Sequence, residues 1–171
     1  NKAYLKTVEM YDPRLDRWEP KASLAQGNLN VAAATVNGKI YAIGGWDGAT
    51  FFATVEEYDP VADKWTRKAD MPTARNCVSA AVVDGIIYAI GGCDITGFFT
   101  SVVEAYDPVA DKWSRKANLP FPYWCRTAID GRKIYAMGCM DNDLRPLSDV
   151  YEYDPTLDTW TKKADMPTTR A

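Results

Sequence analysis

Short apolar runs separated by turns recur along the whole chain. Val31 to Val36 is small and mostly apolar, and Asn37-Gly38, a strong hairpin signal, follows it. The next run, Lys39 to Ile43, is rich in residues that favour strands. After a longer loop, Thr54 to Tyr58 and Lys64 to Lys68 flank a turn that contains proline and aspartate. The pattern therefore predicts four short strands, and no stretch of the chain has helical periodicity.

This four-strand pattern repeats with a period close to 47 residues. The triplet Tyr-Asp-Pro begins at steps of 47, 48 and 47 residues, at Tyr11, Tyr58, Tyr106 and Tyr153. A tryptophan stands seven residues after each tyrosine, at Trp18, Trp65, Trp113 and Trp160. Before the last three triplets, an Ile-Tyr-Ala segment closes on Gly44-Gly45, Gly91-Gly92 and, as a departure, Gly138-Cys139. A period of this length predicts an array of similar structural units.

The glycine pairs, Tyr-Asp-Pro triplets and tryptophans resemble the kelch repeat. In that family each repeat forms one four-stranded blade of a β-propeller. The resemblance covers essentially the whole chain, and it is more specific for the fold than for the function. It implies an all-β kelch β-propeller with three full four-stranded blades and an N-terminal half blade.

The repeat boundaries predict how the blades divide the chain. They place a half blade at 1–21, full blades at 22–69, 70–117 and 118–165, and the start of the next blade at 166–171. Propellers close with about four to eight blades, so three and a half blades do not close alone. We therefore expect the chain to belong to a ring of roughly six or seven blades. It is either a fragment of a larger protein, which the sequence favours, or a unit that self-associates to complete the ring.

Composition narrows the possible partners and the compartment. The chain has 20 Lys and Arg against 23 Asp and Glu, and no basic run, which disfavours nucleic acid. No segment approaches the roughly 18 consecutive apolar residues of a membrane span. The four cysteines form no Cys-x-x-Cys pair, which disfavours zinc and redox motifs. Reduced thiols in the cytoplasm fit this best, and the spacing leaves disulfides open.

Candidate binding residues follow from the resemblance. In the kelch family, the loop after the glycine pair and the segment leading into the first strand lie on the propeller face that commonly binds partners. By position, the candidates after the glycines are Trp46, Cys93 and Met140. Those before the first strands are Asn28, Arg75, Tyr123 and Arg170, and Trp124 joins them as a tryptophan outside the repeat. In kelch-like ubiquitin-ligase adaptors an arginine before the first strand often binds acidic peptides, and Arg75 and Arg170 match that type.

We expect no catalytic, metal or cofactor site. Asp47, Asp94 and Asp141 stand at equivalent places and are predicted to cap turns rather than bind metal. The chain has no histidine, which excludes the copper centre of galactose oxidase, an enzyme of similar fold, and the usual histidine-containing triads. The sequence therefore predicts a non-enzymatic module that binds a protein or peptide. Two alternatives stay open: a carbohydrate-binding or sialic-acid-epimerase-like propeller, and a propeller fragment without independent activity.

Overall fold

The structure is a computed structural model that describes residues 4–170. Its strands are β1 (Val8–Asp12), β2 (Arg17–Lys21), β3 (Ala32–Val36), β4 (Lys39–Ile43), β5 (Val55–Asp59), β6 (Lys64–Arg67), β7 (Arg75–Asn76), β8 (Ser79–Val83), β9 (Ile86–Ile90), β10 (Cys93–Asp94), β11 (Val103–Asp107), β12 (Lys112–Arg115), β13 (Trp124–Asp130), β14 (Lys133–Met140), β15 (Tyr151–Asp154) and β16 (Thr159–Lys162). Within residues 4–170 there is no helix of the length and hydropathy needed to cross a membrane.

The strands form three antiparallel blades and a leading hairpin. Blade one has the strand order β3-β4-β5-β6, blade two β8-β9-β11-β12 and blade three β13-β14-β15-β16. The first strands of the three blades, β3, β8 and β13, lie beside one another. The hairpin β1-β2 carries the same Tyr-Asp-Pro and Trp positions as the third and fourth strands of a blade. The predicted all-β propeller architecture is confirmed.

The hydrophobic core fills the two gaps between neighbouring blades. Between blades one and two, the rings of Tyr41 and Tyr106 meet edge to face, with centroids 6.0 Å apart. Between blades two and three, Tyr88 and Tyr153 meet in the same way at 5.7 Å. Each blade has apolar side chains on both faces, so it becomes stable only when neighbours cover them.

Glycine at the end of the second strand lets the next blade's lead-in segment pack closely. Gly44 and Gly91 have φ of 65° and 60°, in the left-handed region that favours glycine. A Cβ atom on Gly91 would lie 2.6 Å from the carbonyl oxygen of Tyr123. A Cβ atom on Gly44 would overlap the carbonyl oxygen of Arg75. The segments before blades two and three are therefore held against the blade that precedes them.

Each link between blades is held by two hydrogen bonds that we call the linker clamp. In blade two, the indole of Trp113 donates to the carbonyl oxygen of Ala69 at 2.9 Å. The carboxylate of Asp111 accepts the N–H of the same alanine, also at 2.9 Å. The equivalent clamps join Trp65 and Asp63 to Ala22, and Trp160 and Asp158 to Ala117. Because each alanine follows the fourth strand of the preceding unit, the clamp ties the outer edges of adjacent units together.

The clamp aspartates also accept a hydrogen bond from the tyrosines of the Tyr-Asp-Pro triplets. Because this bond needs a protonated tyrosine, we expect the protein to lose stability at alkaline pH. Tyr58 donates to Asp63 at 2.6 Å, and this bond, with burial, raises the pKa of Tyr58 from 10.0 to about 12. A phenolate cannot donate the bond. We therefore expect its stabilising contribution to be complete below pH 10 and to be lost as the pH rises towards 12. Titration of tyrosinate absorbance, alongside unfolding measurements, checks this.

The matched variant for this titration is Asp63→Asn, which keeps the size of the side chain and removes its charge. One tyrosine should then ionise nearer its ordinary pKa than in the unchanged chain. Superimposable titration curves for the two proteins would show that Asp63 does not set the pKa of Tyr58.

An open apolar groove lies between the hairpin β1-β2 and blade one. It has a volume of about 480 Å³, and Val31 and Ile40 of blade one are exposed in it. In the complete blades, the first and second strands occupy the place beside the third strand that is open here. If copies of the chain self-associate to complete a ring, apolar surfaces of this kind are the ones they would cover. Self-association stays a prediction.

Candidate partner-binding site

Three short backbone pairings stand at the same end of the three blades. In each, a residue before or at the start of the first strand pairs with the residue after the glycine position. The pairs are Leu29 with Trp46, Asn76 with Cys93, and Trp124 with Met140. We call these three pairs the rim. The structure thus brings the three candidates after the glycines to equivalent places, one on each blade.

A cavity of about 320 Å³, which we call the basin, opens beside the rim. It is lined by Asn30, Val31, Cys77, Val78, Trp124 and Arg126. The guanidinium of Arg126 lies over the ring of Trp124, 4.6 Å from its centroid. Arg126 is exposed and pairs with no carboxylate among residues 4–170. An arginine placed flat on an indole keeps N–H donors free for a ligand, so the basin offers one positive charge beside an aromatic surface.

Aromatic contacts hold the rim in place across the blades. Phe99 of blade two packs on Trp124 of blade three, with ring centroids 6.2 Å apart. The side-chain oxygen of Asn142 in blade three accepts the N–H of Phe99 at 2.6 Å. On blade one, Trp46 is half-buried between Tyr4 and Phe51, at centroid distances of 6.0 and 6.1 Å. The rim is therefore a packed surface with partly exposed aromatic rings.

Arg75 does not lie on this surface, which corrects the expectation that it contacts a partner. Its side chain is 0% exposed, and Nη2 lies 2.7 Å from the carboxylate of Glu104, which is also 0% exposed. Nη1 donates to the carbonyl oxygens of Gly91 and Val102 at 2.6 and 2.9 Å. A buried guanidinium is tolerated only with such a set of partners. Arg75 therefore holds blade two together.

The other lead-in candidates have different roles. Asn28 donates to the carbonyl oxygen of Gly44 at 2.8 Å and accepts the N–H of Trp46 at 2.9 Å. It therefore fixes the backbone beside the Leu29–Trp46 pair of the rim. Tyr123 is half-buried, and burial raises its pKa. Arg170 is exposed and donates to the Thr168 hydroxyl at 2.7 Å.

The cysteines fall into two groups. Cys77 and Cys93 are free and half-buried, one lining the basin and one on the rim. Burial raises the pKa of both thiols, so they are uncharged at neutral pH. Cys125 and Cys139 are joined by a disulfide, an outcome that the sequence left open beside reduced thiols.

The repeated aspartates after the glycines cap turns, as predicted. Asp47 accepts the N–H of Thr50 at 2.7 Å, and Asp94 accepts that of Thr96 at 2.9 Å. Asp141 accepts two backbone N–H groups in the same way. Across residues 4–170, no three carboxylate or cysteine side chains are grouped so as to hold a metal ion.

Sequence reasoning missed Arg126, although a signal for it exists. Arg126 pairs with Met137, as Ala32 pairs with Ile43 and Ser79 with Ile90, so blades one and two have the small residues Ala32 and Ser79 at the equivalent positions. A charged residue where the other copies have small ones is a departure of the same kind that singled out Trp46. Comparison of the copies along the whole first strand, rather than only before it, would have identified Arg126.

Comparison with known proteins agrees with this architecture. A family model described as "Kelch motif" matches residues 28–72, 74–120 and 125–167. Two proteins of Caenorhabditis elegans, kelch repeat-containing protein kel-10 and a kelch repeat and BTB domain-containing protein, are each 50% identical over 44 residues. That match covers 26% of this chain and 8% of each relative. A solved structure titled "Structure of YjhT" superposes with a TM-score of 0.78 at 18% identity, over 90% of this chain and 57% of that one.

Proposed function

Because the chain belongs to the kelch-repeat family, we propose that it is a non-enzymatic binding module that recognises a protein or peptide through the rim and the basin. The family supports a module of this general kind. The matched relatives are much longer than this chain, and one of them carries a BTB domain.

The observation that carries this proposal is the pair of Arg126 and Trp124 at the basin. An exposed arginine that has no carboxylate partner among residues 4–170 and lies against a tryptophan combines apolar area with unused donors. Tryptophan, tyrosine and arginine dominate binding hot spots for this reason. Trp46 presents a second aromatic surface on the same rim. We infer that the partner offers an acidic or carbonyl-rich segment to Arg126 and an apolar side chain to the rim.

Selection of binding peptides from a random library, with the purified chain as the target, tests this function. We expect Trp46→Ala and Arg126→Gln each to weaken the binding of selected peptides by about 1–2 kcal/mol. Arg126→Gln removes no buried charge and no linker clamp, so the melting temperature should change little, whereas Trp46→Ala also removes ring packing on Tyr4 and Phe51 and should lower it modestly. Isothermal titration calorimetry and thermal unfolding measure the two effects separately.

The matched control is Arg132→Gln in the turn at the opposite end of β13 and β14. Arg132 is also exposed, with 72% of its side chain accessible, but it pairs with Asp84 away from the rim. Its substitution should leave peptide binding unchanged. Equal losses for Arg126→Gln and Arg132→Gln would mean that charge in general, and not the basin, attracts the peptides. Selected peptides that bind all three variants normally would place the site elsewhere.

A further inference from the structure

Blade three departs from the other two blades at the second glycine position. Gly45 and Gly92 have φ of 111° and 95°, and a Cβ on Gly92 would lie 2.5 Å from the carbonyl oxygen of Asn76. Blade three has Cys139 at this position, and its sulfur is bonded to Cys125 on the adjacent strand. The residue that breaks the glycine pair is therefore also the residue that forms the disulfide.

The disulfide accompanies a different local backbone. The first two strands of blade one have 5 residues each, whereas β13 has 7 and β14 has 8. The register of β13 against β14 shifts between Trp124 and Arg126, so that Cys125 stands at a bulge. Beyond it, Trp124 pairs directly with Met140 on the rim. The two buried sulfurs thus lie next in sequence to three of the residues that shape the rim and the basin.

Each blade fixes this end of its second strand by a different means. In blade one, Asn28 bridges Gly44 and Trp46 with two hydrogen bonds. In blade two, Arg75 bonds to the carbonyl oxygen of Gly91. In blade three, the equivalent residue Tyr123 forms no side-chain hydrogen bond within residues 4–170. The disulfide stands where the polar bridge is missing.

We propose that the Cys125–Cys139 disulfide is a redox-sensitive staple that fixes the Trp124–Met140 pair and Arg126, so that partner affinity depends on the thiol state. The proposal rests on the proposed function of the rim and basin. A dithiol reductant breaks the S–S bond by supplying two electrons and two protons, which yields two thiols and the oxidised reductant. A small-molecule disulfide such as oxidised glutathione accepts them in the reverse reaction.

The first arm of the test asks whether the staple exists and what it holds. Alkylation of the unreduced chain should label Cys77 and Cys93 only. After reduction with dithiothreitol, backbone amides around Trp124 and Met140 should exchange hydrogen about tenfold faster, and those around Asn76 should not change. The variant Cys125→Ser/Cys139→Gly, which restores the glycine of the other blades, should behave like the reduced chain without reductant. Reduction of the unchanged chain gives the same comparison if the variant does not fold.

The second arm asks whether the staple controls binding. Peptides selected on the oxidised chain should bind the reduced chain about tenfold more weakly. In the reduced state, Arg126→Gln should cause no further loss of peptide affinity. Four alkylated cysteines before reduction, unchanged exchange at the rim, or equal peptide affinity in the two states would each overturn the proposal. Failure to select any rim-dependent peptide would contradict the proposed function instead. The exchange arm would still decide whether the disulfide holds the rim.

Discussion

Replacement of Arg75 with alanine should lower the free energy of unfolding by roughly 3–5 kcal/mol, the largest effect expected for any charged side chain here. The substitution leaves the carboxylate of Glu104 buried without its counter-ion, at a site with 0% exposure. It also removes two hydrogen bonds to backbone carbonyls of blade two. Thr73, which donates to Glu104 at 2.8 Å, cannot neutralise that charge. Chemical denaturation followed by tryptophan fluorescence measures the loss.

Two comparison variants separate a buried pair from a surface arginine. Arg170 occupies the equivalent position two repeats later and is exposed, so Arg170→Ala should change stability by no more than about 0.5 kcal/mol. The double variant Arg75→Met/Glu104→Met removes both charges together and should recover much of the loss, because no unpaired charge remains. If Arg75→Ala kept its stability and lost only peptide binding, Arg75 would be a partner-binding residue and not a structural one.

Replacement of Trp113 with alanine should cost about 3 kcal/mol, near the lower limit for a core tryptophan because its ring is half-buried. The indole packs on Tyr106, with ring centroids 5.1 Å apart, and lies beside the core between blades one and two. Its loss also leaves the carbonyl oxygen of Ala69 without the clamp hydrogen bond. Both effects weaken the contact between these blades, and equilibrium unfolding in urea measures their sum.

Trp18 provides a control in the same motif position. It is 65% exposed in the hairpin β1-β2 and has no indole hydrogen bond within the part of the chain that the structure describes. Trp18→Ala should therefore cost no more than about 1 kcal/mol. Trp113→Phe keeps most of the ring and removes the hydrogen bond, and should cost roughly 1 kcal/mol from that bond alone. Similar losses for Trp18→Ala and Trp113→Ala would show that the clamp contributes little.

Most of the fold could be predicted from the sequence because the repeated motifs mark where each blade begins and ends. The predicted strand at Lys39 to Ile43 agrees with β4, and that at Val31 to Val36 differs from β3 by one residue. The extended strands of blade three were not anticipated. There, Cys139 replaces the second glycine, while Gly138 keeps the positive φ of Gly44 and Gly91. Only Cys125 lies between the paired residues Trp124 and Arg126, whereas two residues lie between Asn76 and Ser79, so the pairing of blade three continues to the rim as one pair of strands.

The binding surface was harder to predict because position does not determine the direction of a side chain. Arg75 and Arg170 share a repeat position, but Arg75 points inward because Glu104, far along the chain, supplies a buried carboxylate. Blade three has tyrosine at both of the corresponding positions, Tyr123 and Tyr151. That paired change between copies is a signal for contact, and it could have placed Arg75 in the interior.

The linker clamp bears on how such a chain can grow during evolution. Ala69 and the residues that clamp it, Asp111 and Trp113, lie within one repeat of 48 residues. An in-frame duplication of that unit would carry donor and acceptor together, so the new blade would arrive with its own attachment to the blade before it. The segments that begin at Tyr58 and Tyr106 both read YDPVADKW, an identity that fits a duplication of this unit. Blade number can thus change by whole units, while the residues on the rim diverge from one copy to the next.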